Sequence, residues 1–318
     1  MINNKIEKYS IIVLLAMAVI YPVFSNSYMI SVGVSILTIA LLGQSWNLMS
    51  GYAGQFSFGH AAFFGVGAYT SSILYVDFGI SPWIGMLIGM AMAAAVGVVI
   101  GFLSFRYRIK GDFFALVTLA FAEILRVLFN NTKALKGAGG ILIPYKNDWS
   151  EFQFENDKIF YIILLLMVIL ATFVLAVISK RKLGICLIAI KESQSAARSL
   201  GVPVLKYKLI AMAISAAMAG MAGTFYAQYY GFIDPTVVFA ASISVEAIVP
   251  CIIGGAGTLC GPLLGAVIIV PLQELSNSLF DGINGLNMII YGLLIVVFII
   301  FCPDGIYGTI VKRVKGEK

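Results

Sequence analysis

The sequence predicts an all-α membrane protein, a polytopic bundle of about nine to ten transmembrane helices. Three observations carry that expectation. Of the 318 residues, 60% are hydrophobic, against about half in a soluble chain. Only 11% are charged, where soluble domains average about a quarter. Mean hydropathy is +0.98. A spanning helix consumes about 20 apolar residues, so ten would use roughly 200 positions and leave the rest for loops and termini. A large soluble domain, a disordered chain and a secreted disulfide scaffold are excluded.

The first span is expected at 9–25, where Lys5 and Lys8 precede an apolar run from Ile11 to Ile20. A signal peptide begins the same way, but no A-x-A-like cleavage site follows, so an uncleaved span is expected. Further spans are expected at 29–49, 54–75, 82–104, 112–130, 158–178, 207–229, 237–254, 259–276 and 286–302. All belong to one transmembrane domain over 1–318. Several are short or interrupted, which leaves nine or ten open.

Charge sets the orientation. With the N-terminus inside, the inner pieces are 1–8, 50–53, 105–111, 179–206, 255–258 and 303–318, and 16 of the 21 Lys and Arg fall in or beside them. They include Arg106, Arg108, Lys110, Lys180, Arg181 and Lys182, and at the end Lys312, Arg313, Lys315 and Lys318. The outer loop 131–157 instead balances Lys133, Lys136 and Lys146 with Asp148, Glu151, Glu155 and Asp157. Membrane proteins hold Lys and Arg on the cytoplasmic side, so both termini are expected there. The same bias accounts for the net charge of +6 without a nucleic-acid partner. Loop 131–157, with Gly137-Ala138-Gly139-Gly140, is either a solvated connector or a docking surface for an external partner.

The inner segment 179–206 is more informative. Lys180-Arg181-Lys182-Leu183-Gly184 leaves the membrane, and one helix is expected from Ile185 to Leu200. Gly201 and Pro203 end it, because glycine accepts the left-handed conformation and proline cannot continue a helix. Ala189, Ser193, Ala196, Ala197 and Leu200 recur at helical spacing and make one face of mostly small residues. Lys191, Ser195 and Arg198 form a polar face beside it, with Glu192 at the border. Such a face suits a helix docked in a groove. An amphipathic helix lying on lipid would want more large apolar side chains than Leu200, Ile185 and Ile188 supply.

Charges inside the spans each need a reason, since one at the bilayer centre costs about 2.5–3.5 kcal/mol on insertion scales. Glu123 and Arg126 are spaced to pair on one helical face. Glu246 stands alone ahead of Pro250, where the helix is expected to be interrupted. Irregular backbone at membrane depth lines a wet cavity or is buried in protein, so Glu246 is a candidate for the translocation path. Gln55, Ser57 and His60 open a glycine-rich span and are the other candidates. The alternative for His60 is an interhelical hydrogen bond, and for Glu246 a neutralised or bonded carboxylate inside the bundle. Gly85/Gly89, Gly97/Gly101, Gly257/Gly261 and Gly261/Gly265 are G-x-x-x-G pairs that permit close helix crossing.

The sequence signals no metal site: it has one histidine and four cysteines, with no C-x-x-C pair. Nor does it contain G-x-x-x-x-G-K-[ST], the loop that cradles nucleotide phosphates. Gly51-Tyr52-Ala53-Gly54 and Gly254-Gly255-Ala256-Gly257 share G-x-A-G, a short echo between two halves.

The stretch Gly184 to Gly201, with Ala189-Ile190-Lys191-Glu192 and Ala196-Ala197-Arg198-Ser199-Leu200-Gly201, resembles the coupling segment of ABC-importer permeases. Gly51-Tyr52-Ala53-Gly54-Gln55-Phe56-Ser57-Phe58-Gly59-His60-Ala61-Ala62-Phe63, Gly254-Gly255-Ala256-Gly257-Thr258 with Gly261-Pro262, and Cys302-Pro303-Asp304-Gly305-Ile306 narrow the resemblance to LivM-type permeases of branched-chain amino acid importers. It runs from about 30 to 308. The family's E-A-A-x-x-x-G is altered here, with Ser193-Gln194-Ser195 between Glu192 and Ala196-Ala197, and its L-P-E reads Pro271-Leu272-Gln273-Glu274. The resemblance implies a non-enzymatic subunit of a bacterial or archaeal cell membrane importer. Its partners are a LivH-like second permease, two cytoplasmic ATPases that hold the ATP and magnesium, and an extracytoplasmic solute-binding protein. No cofactor is expected in this chain itself. The expected cargo is Leu, Ile or Val, with urea or short amides as the alternative. An ion-coupled carrier using Glu123, Glu246 and Glu274 is the rival class. An intramembrane enzyme ranks behind it for want of a cluster of catalytic side chains.

Overall fold

The computed structural model describes residues 4–107, 109, 111–279, 289, 292, 293, 296, 300 and 305–309. Arg108, Lys110, Lys312, Arg313, Lys315, Lys318 and Cys302-Pro303-Asp304 lie outside the described residues, as do the side chains of Lys5 and Lys8 and most of the expected span 286–302. The described chain is helical almost throughout. Its α-helices are α1 (Asn4–Phe24), α2 (Ser27–Trp46), α3 (His60–Phe78), α4 (Pro82–Arg106), α5 (Asp112–Asn131) and α6 (Asp157–Lys180). They continue with α7 (Lys182–Glu192), α8 (Gln194–Ser199), α9 (Val204–Tyr230), α10 (Pro235–Val238), α11 (Ala241–Gly254) and α12 (Gly261–Leu279). Among the described residues, six helical stretches are long and apolar enough to cross a membrane: Ser27–Tyr52, Pro82–Arg106, Asp157–Lys180, Val204–Tyr230, Pro235–Gly254 and Gly261–Leu279. Helices α1, α3 and α5 coincide with expected spans but fall short by that measure. The chain is an all-α polytopic membrane protein.

It divides into two compact units. The first comprises Met1–Asn47, Asp157–Phe173 and Ala247–Lys318. Here α2 packs on α12. The Tyr21 hydroxyl donates to Met29 O at 2.7 Å, and its ring stacks on Tyr161. Asn47 clasps the glycine-rich turn after α11, accepting from Gly257 N and donating to Thr258 O, both at 2.7 Å. Glu7 accepts from Leu259 N at 2.6 Å in the same turn.

Helix α11 runs unbroken through Pro250, which corrects the expected interruption. Proline forfeits one backbone donor, and within a packed membrane helix its neighbours can accommodate the change. Small residues make that room: methyl groups built on Gly43 and Gly265 would lie 3.2 Å from Pro250 Cγ and 1.9 Å from Pro250 O. Gly265 is the second member of one of the expected G-x-x-x-G pairs.

The second unit comprises Leu48–Asn156 and Val174–Glu246. Its centre is the mutual packing of α3, α4 and α9. The glycines of α4 face their neighbours as two pairs, Gly85/Gly89 and Gly97/Gly101, each four residues apart. Methyls there would press on Ser71, Gly67 O, Ala216 and Met212 at 2.7–3.2 Å. Helix α9 approaches α3 closely at two glycines: a methyl on Gly223 would sit 2.0 Å from the Phe64 carbonyl oxygen, and one on Gly67 2.2 Å from that of Gly220. Glu123 and Arg126 do pair on α5, with Arg126 Nε donating to Glu123 Oε2 at 2.9 Å.

The loop before α6 folds down on this unit. Ile141 and Leu142 pair antiparallel with Ile233 and Phe232 as a two-stranded ribbon, β1–β2. Ile141, Ile143, Phe152 and Phe154 are buried, with Phe152 against Trp83 and Phe225. Trp83 Nε1 donates to Trp149 O at 2.8 Å, and Gln153 Nε2 to Gln228 Oε1 at 2.9 Å.

Candidate functional site

Helix α2 does not continue straight into α3. From Asn47 to Tyr52 the chain widens into π-type turns, and 53–59 forms no helix. The span expected from residue 54 therefore begins at His60. Gly54 explains the stop: its φ of +66 lies in the left-handed region. The exposed backbone groups of this break are met mainly by side chains. Gln55 Nε2 reaches back to Ala53 O and Gly54 O at 3.2 and 3.0 Å, and Ser50 Oγ donates to Gln55 O at 2.8 Å. Gly59 N donates to Ser57 Oγ at 3.2 Å, Phe58 N to Thr118 Oγ1 at 3.0 Å, and Ala61 N to Ser244 Oγ at 3.0 Å. A partly buried break with these polar groups matched is a built feature of the unit.

His60 and Ser57 are fully buried. His60 Nε2 lies 3.1 Å from Ser215 Oγ, so the ring bonds α3 to α9, the interhelical alternative. Glu246 is half-buried on α11. It forms no hydrogen bond or ion pair with any described residue, so nothing bonds it to the Gln55–His60 group. Among the described residues no cluster of His, Cys, Asp or Glu is placed to hold a metal ion.

The segment between α6 and α9 departs from expectation. It is two helices, α7 and α8, broken at Ser193, whose φ of −155° and ψ of 107° are extended. Ser193 Oγ then accepts from Ala196 N at 3.3 Å and caps α8. The reason is local: in Ser193-Gln194-Ser195, serine competes for backbone bonds better outside a helix than inside one. The single small-residue face therefore does not exist. Ala189 is half-buried, while Ala197 is buried with Ile190 and Val204 in a small core that Val202 and Tyr207 complete. Glu192, Ser193, Ala196, Leu200 and Gly201 are exposed, Leu200 at 84%. The expected stop at Gly201 forms: φ is +80, Val202 N donates to Ala197 O, and Gly201 N to Arg198 O, both at 3.0 Å. That is the paired closure of a Schellman turn.

Two lysines tie this connector to the break. Lys191 Nζ donates to Gly51 O at 2.9 Å. Lys208, only 2% exposed, donates to Gln55 Oε1 at 2.9 Å and to Gln194 Oε1 at 3.0 Å. Its ammonium also sits 5.1 Å from the centre of the Phe105 ring, a cation–π distance. Removing one acceptor from a buried ammonium costs about 1.5–3 kcal/mol. Sequence reasoning counted Lys208 only as an inner charge, and passed over Gln194. One signal was present: Lys208 falls inside the expected span 207–229, where a cation needs a partner.

The profile of the family described as branched-chain amino acid transport system, permease component, matches residues 28–299. The high-affinity branched-chain amino acid transport permease LivM of Escherichia coli is 33% identical, over 94% of this chain and 75% of that protein. LivH of the same organism is 25% identical over 85% of this chain and 91% of its own. BraD of Pseudomonas aeruginosa is likewise 25% identical, over 85% and 92%. No solved structure matches. With the matched region running from α2 through the break, the connector and α12, the chain belongs to the branched-chain amino acid transport permease family.

Proposed function

We propose that this chain is one membrane subunit of an ATP-driven importer that carries leucine, isoleucine and valine into the cytoplasm. It pairs with a second, LivH-like permease. Two cytoplasmic ATPases hold ATP and magnesium, and an extracytoplasmic binding protein delivers the solute and sets most of the specificity. The chain lies in a bacterial or archaeal cell membrane with both termini and α7–α8 in the cytoplasm.

In a chain of this family, the observation that carries the reading is the connector. Its outer side, Glu192, Ser193, Ala196 and Leu200, is exposed, while Ala197 and Ile190 anchor it to the first turn of α9. An apolar Leu200 left 84% exposed beside small residues is suited to a groove on another protein. Held by its own small core, the connector moves with α9 when that groove moves. The break carrying Gln55, Ser57 and His60, together with Glu246, borders the solute path, and the two permeases alternate between outward and inward openings.

The test is uptake of labelled leucine into vesicles carrying the complete importer, with ATP inside or withheld. Unlabelled isoleucine, valine, urea and acetamide serve as competitors. ATP-dependent uptake that only the branched amino acids suppress is expected. Uptake that persists without ATP and follows an ion gradient would overturn the importer reading. ATP-driven urea or amide uptake without leucine uptake would overturn the assigned cargo.

A further inference from the structure

Lys208 stands on α9, yet both of its amide partners lie on other segments. Gln194 is the first residue of α8, 14 positions earlier. Gln55 lies in the break before α3, 153 positions earlier. Lys208 as a residue is 2% exposed, so protein groups supply most of what surrounds its side chain. Gln55 in turn holds the break by its own backbone and side chain, through Met49 O, Ala53 O and Gly54 O. Lys191 adds a second tie to the same stretch at Gly51 O. A methyl on Gly54 would press to 3.2 Å of the Lys191 Cα, so the connector backbone itself lies against the break.

We infer that Lys208 is a positioning residue for transport: by holding Gln194 and Gln55 on one buried ammonium, it passes displacement of the connector to the Gly51–Gly59 break. This rests on the importer reading above, in which the connector is what the ATPases move. A buried charge strengthens the tie, because each acceptor that follows it offsets part of the cost of its burial. The break is the responsive end. It is the non-helical stretch that leads directly into His60, and His60 is bonded across to Ser215 on the same α9.

The experiment uses the complete importer in liposomes, with Lys208→Met, Gln194→Leu and Gln194→Glu beside the wild type. Three quantities are read: ATPase bound per permease, ATP hydrolysed, and solute taken up per ATP. Wild-type uptake driven by ATP is the check on the importer reading. Its absence, with no ATPase bound, removes that reading and this proposal with it. Given a working wild type, Lys208→Met and Gln194→Leu are expected to bind ATPase normally and still hydrolyse ATP. Solute taken up per ATP falls about tenfold, the scale of one lost hydrogen bond to a charge. Gln194→Glu, which keeps the acceptor, retains the wild-type ratio. Gln194 is half-exposed, so its leucine variant remains informative if Lys208→Met does not assemble. An unchanged uptake-to-ATP ratio in Gln194→Leu would reduce Lys208 to packing. So would an equal fall in Gln194→Glu.

Discussion

Glu151 accepts from the Tyr75 hydroxyl and from Lys146 Nζ, the latter at 3.0 Å. Those two bonds, the tyrosine's first, hold its carboxyl below the usual range against the opposing pull of burial. Asp148 is lowered as well, by the Ser150 backbone and side chain. A depressed carboxyl stabilises the folded loop fully above its unfolded value, about 4.3 for glutamate. That contribution is lost as pH falls through the lower folded value. Trp149 sits two residues away and its carbonyl accepts from Trp83, so tryptophan emission reports the loop. An emission change below about pH 4.3 is expected in the wild type, and a smaller one, from Asp148 alone, in Glu151→Gln. The same acid transition in both would place the titrating group elsewhere. Residue by residue, legibility was uneven. The Glu123–Arg126 pair was legible because it is local. The Lys208 clasp was not, because its partners are 14 and 153 positions away and no periodicity links them.

At the scale of elements, α8 separates two neighbouring alanines. Ala196 is exposed and Ala197 is 2% exposed, packed against Ile190 and Val204. A glutamate at 196 therefore meets solvent or a partner, while one at 197 enters the connector's own core. Ala196→Glu is expected to leave the amount of inserted permease unchanged and to abolish co-purification of the ATPases. Ala197→Glu should lower the inserted amount itself, since an unpaired buried charge is strongly destabilising. Normal ATPase recovery with Ala196→Glu would move the docking surface off α8. The helices themselves were mostly legible, because a long apolar run has few alternatives in a membrane. Their irregularities were not. Pro250 reads as a break in isolation, yet α11 continues because Gly43 and Gly265 leave space beside it. Ser193 reads as one more small residue on a helix, yet it caps a new one. Gly54 was read inside a span and instead ends the turns before α3. In each case the deciding partner is a backbone group or a neighbouring helix that spacing alone does not reveal.

For the whole molecule the decisive property is orientation, which fixes whether the connector can meet an ATPase at all. The sequence places 16 of its 21 Lys and Arg in or beside the pieces assigned to the cytoplasm. Transfer of Lys and Arg across the membrane during insertion is what the charge bias resists. Loop 131–157 carries three lysines against four acidic residues, and its ribbon and aromatic cluster are settled on the far ends of α3, α4 and α9 from α7–α8. The lengths agree: α9 has 27 residues, about 40 Å at 1.5 Å each, enough to separate its connector end from its ribbon end by a bilayer. Single-cysteine labelling tests this directly. Tyr145, 59% exposed in the loop, and Ser199, exposed at the end of α8, are suitable sites. Cys186, Cys251 and Cys260 are buried, and Cys302 is replaced by serine to remove its background. An impermeant maleimide applied to intact cells is expected to label Tyr145→Cys and to reach Ser199→Cys only after permeabilisation. The opposite pattern would put α7–α8 outside the cell, beyond any cytoplasmic ATPase. The importer reading would then fall for the whole chain, whatever the connector's local chemistry.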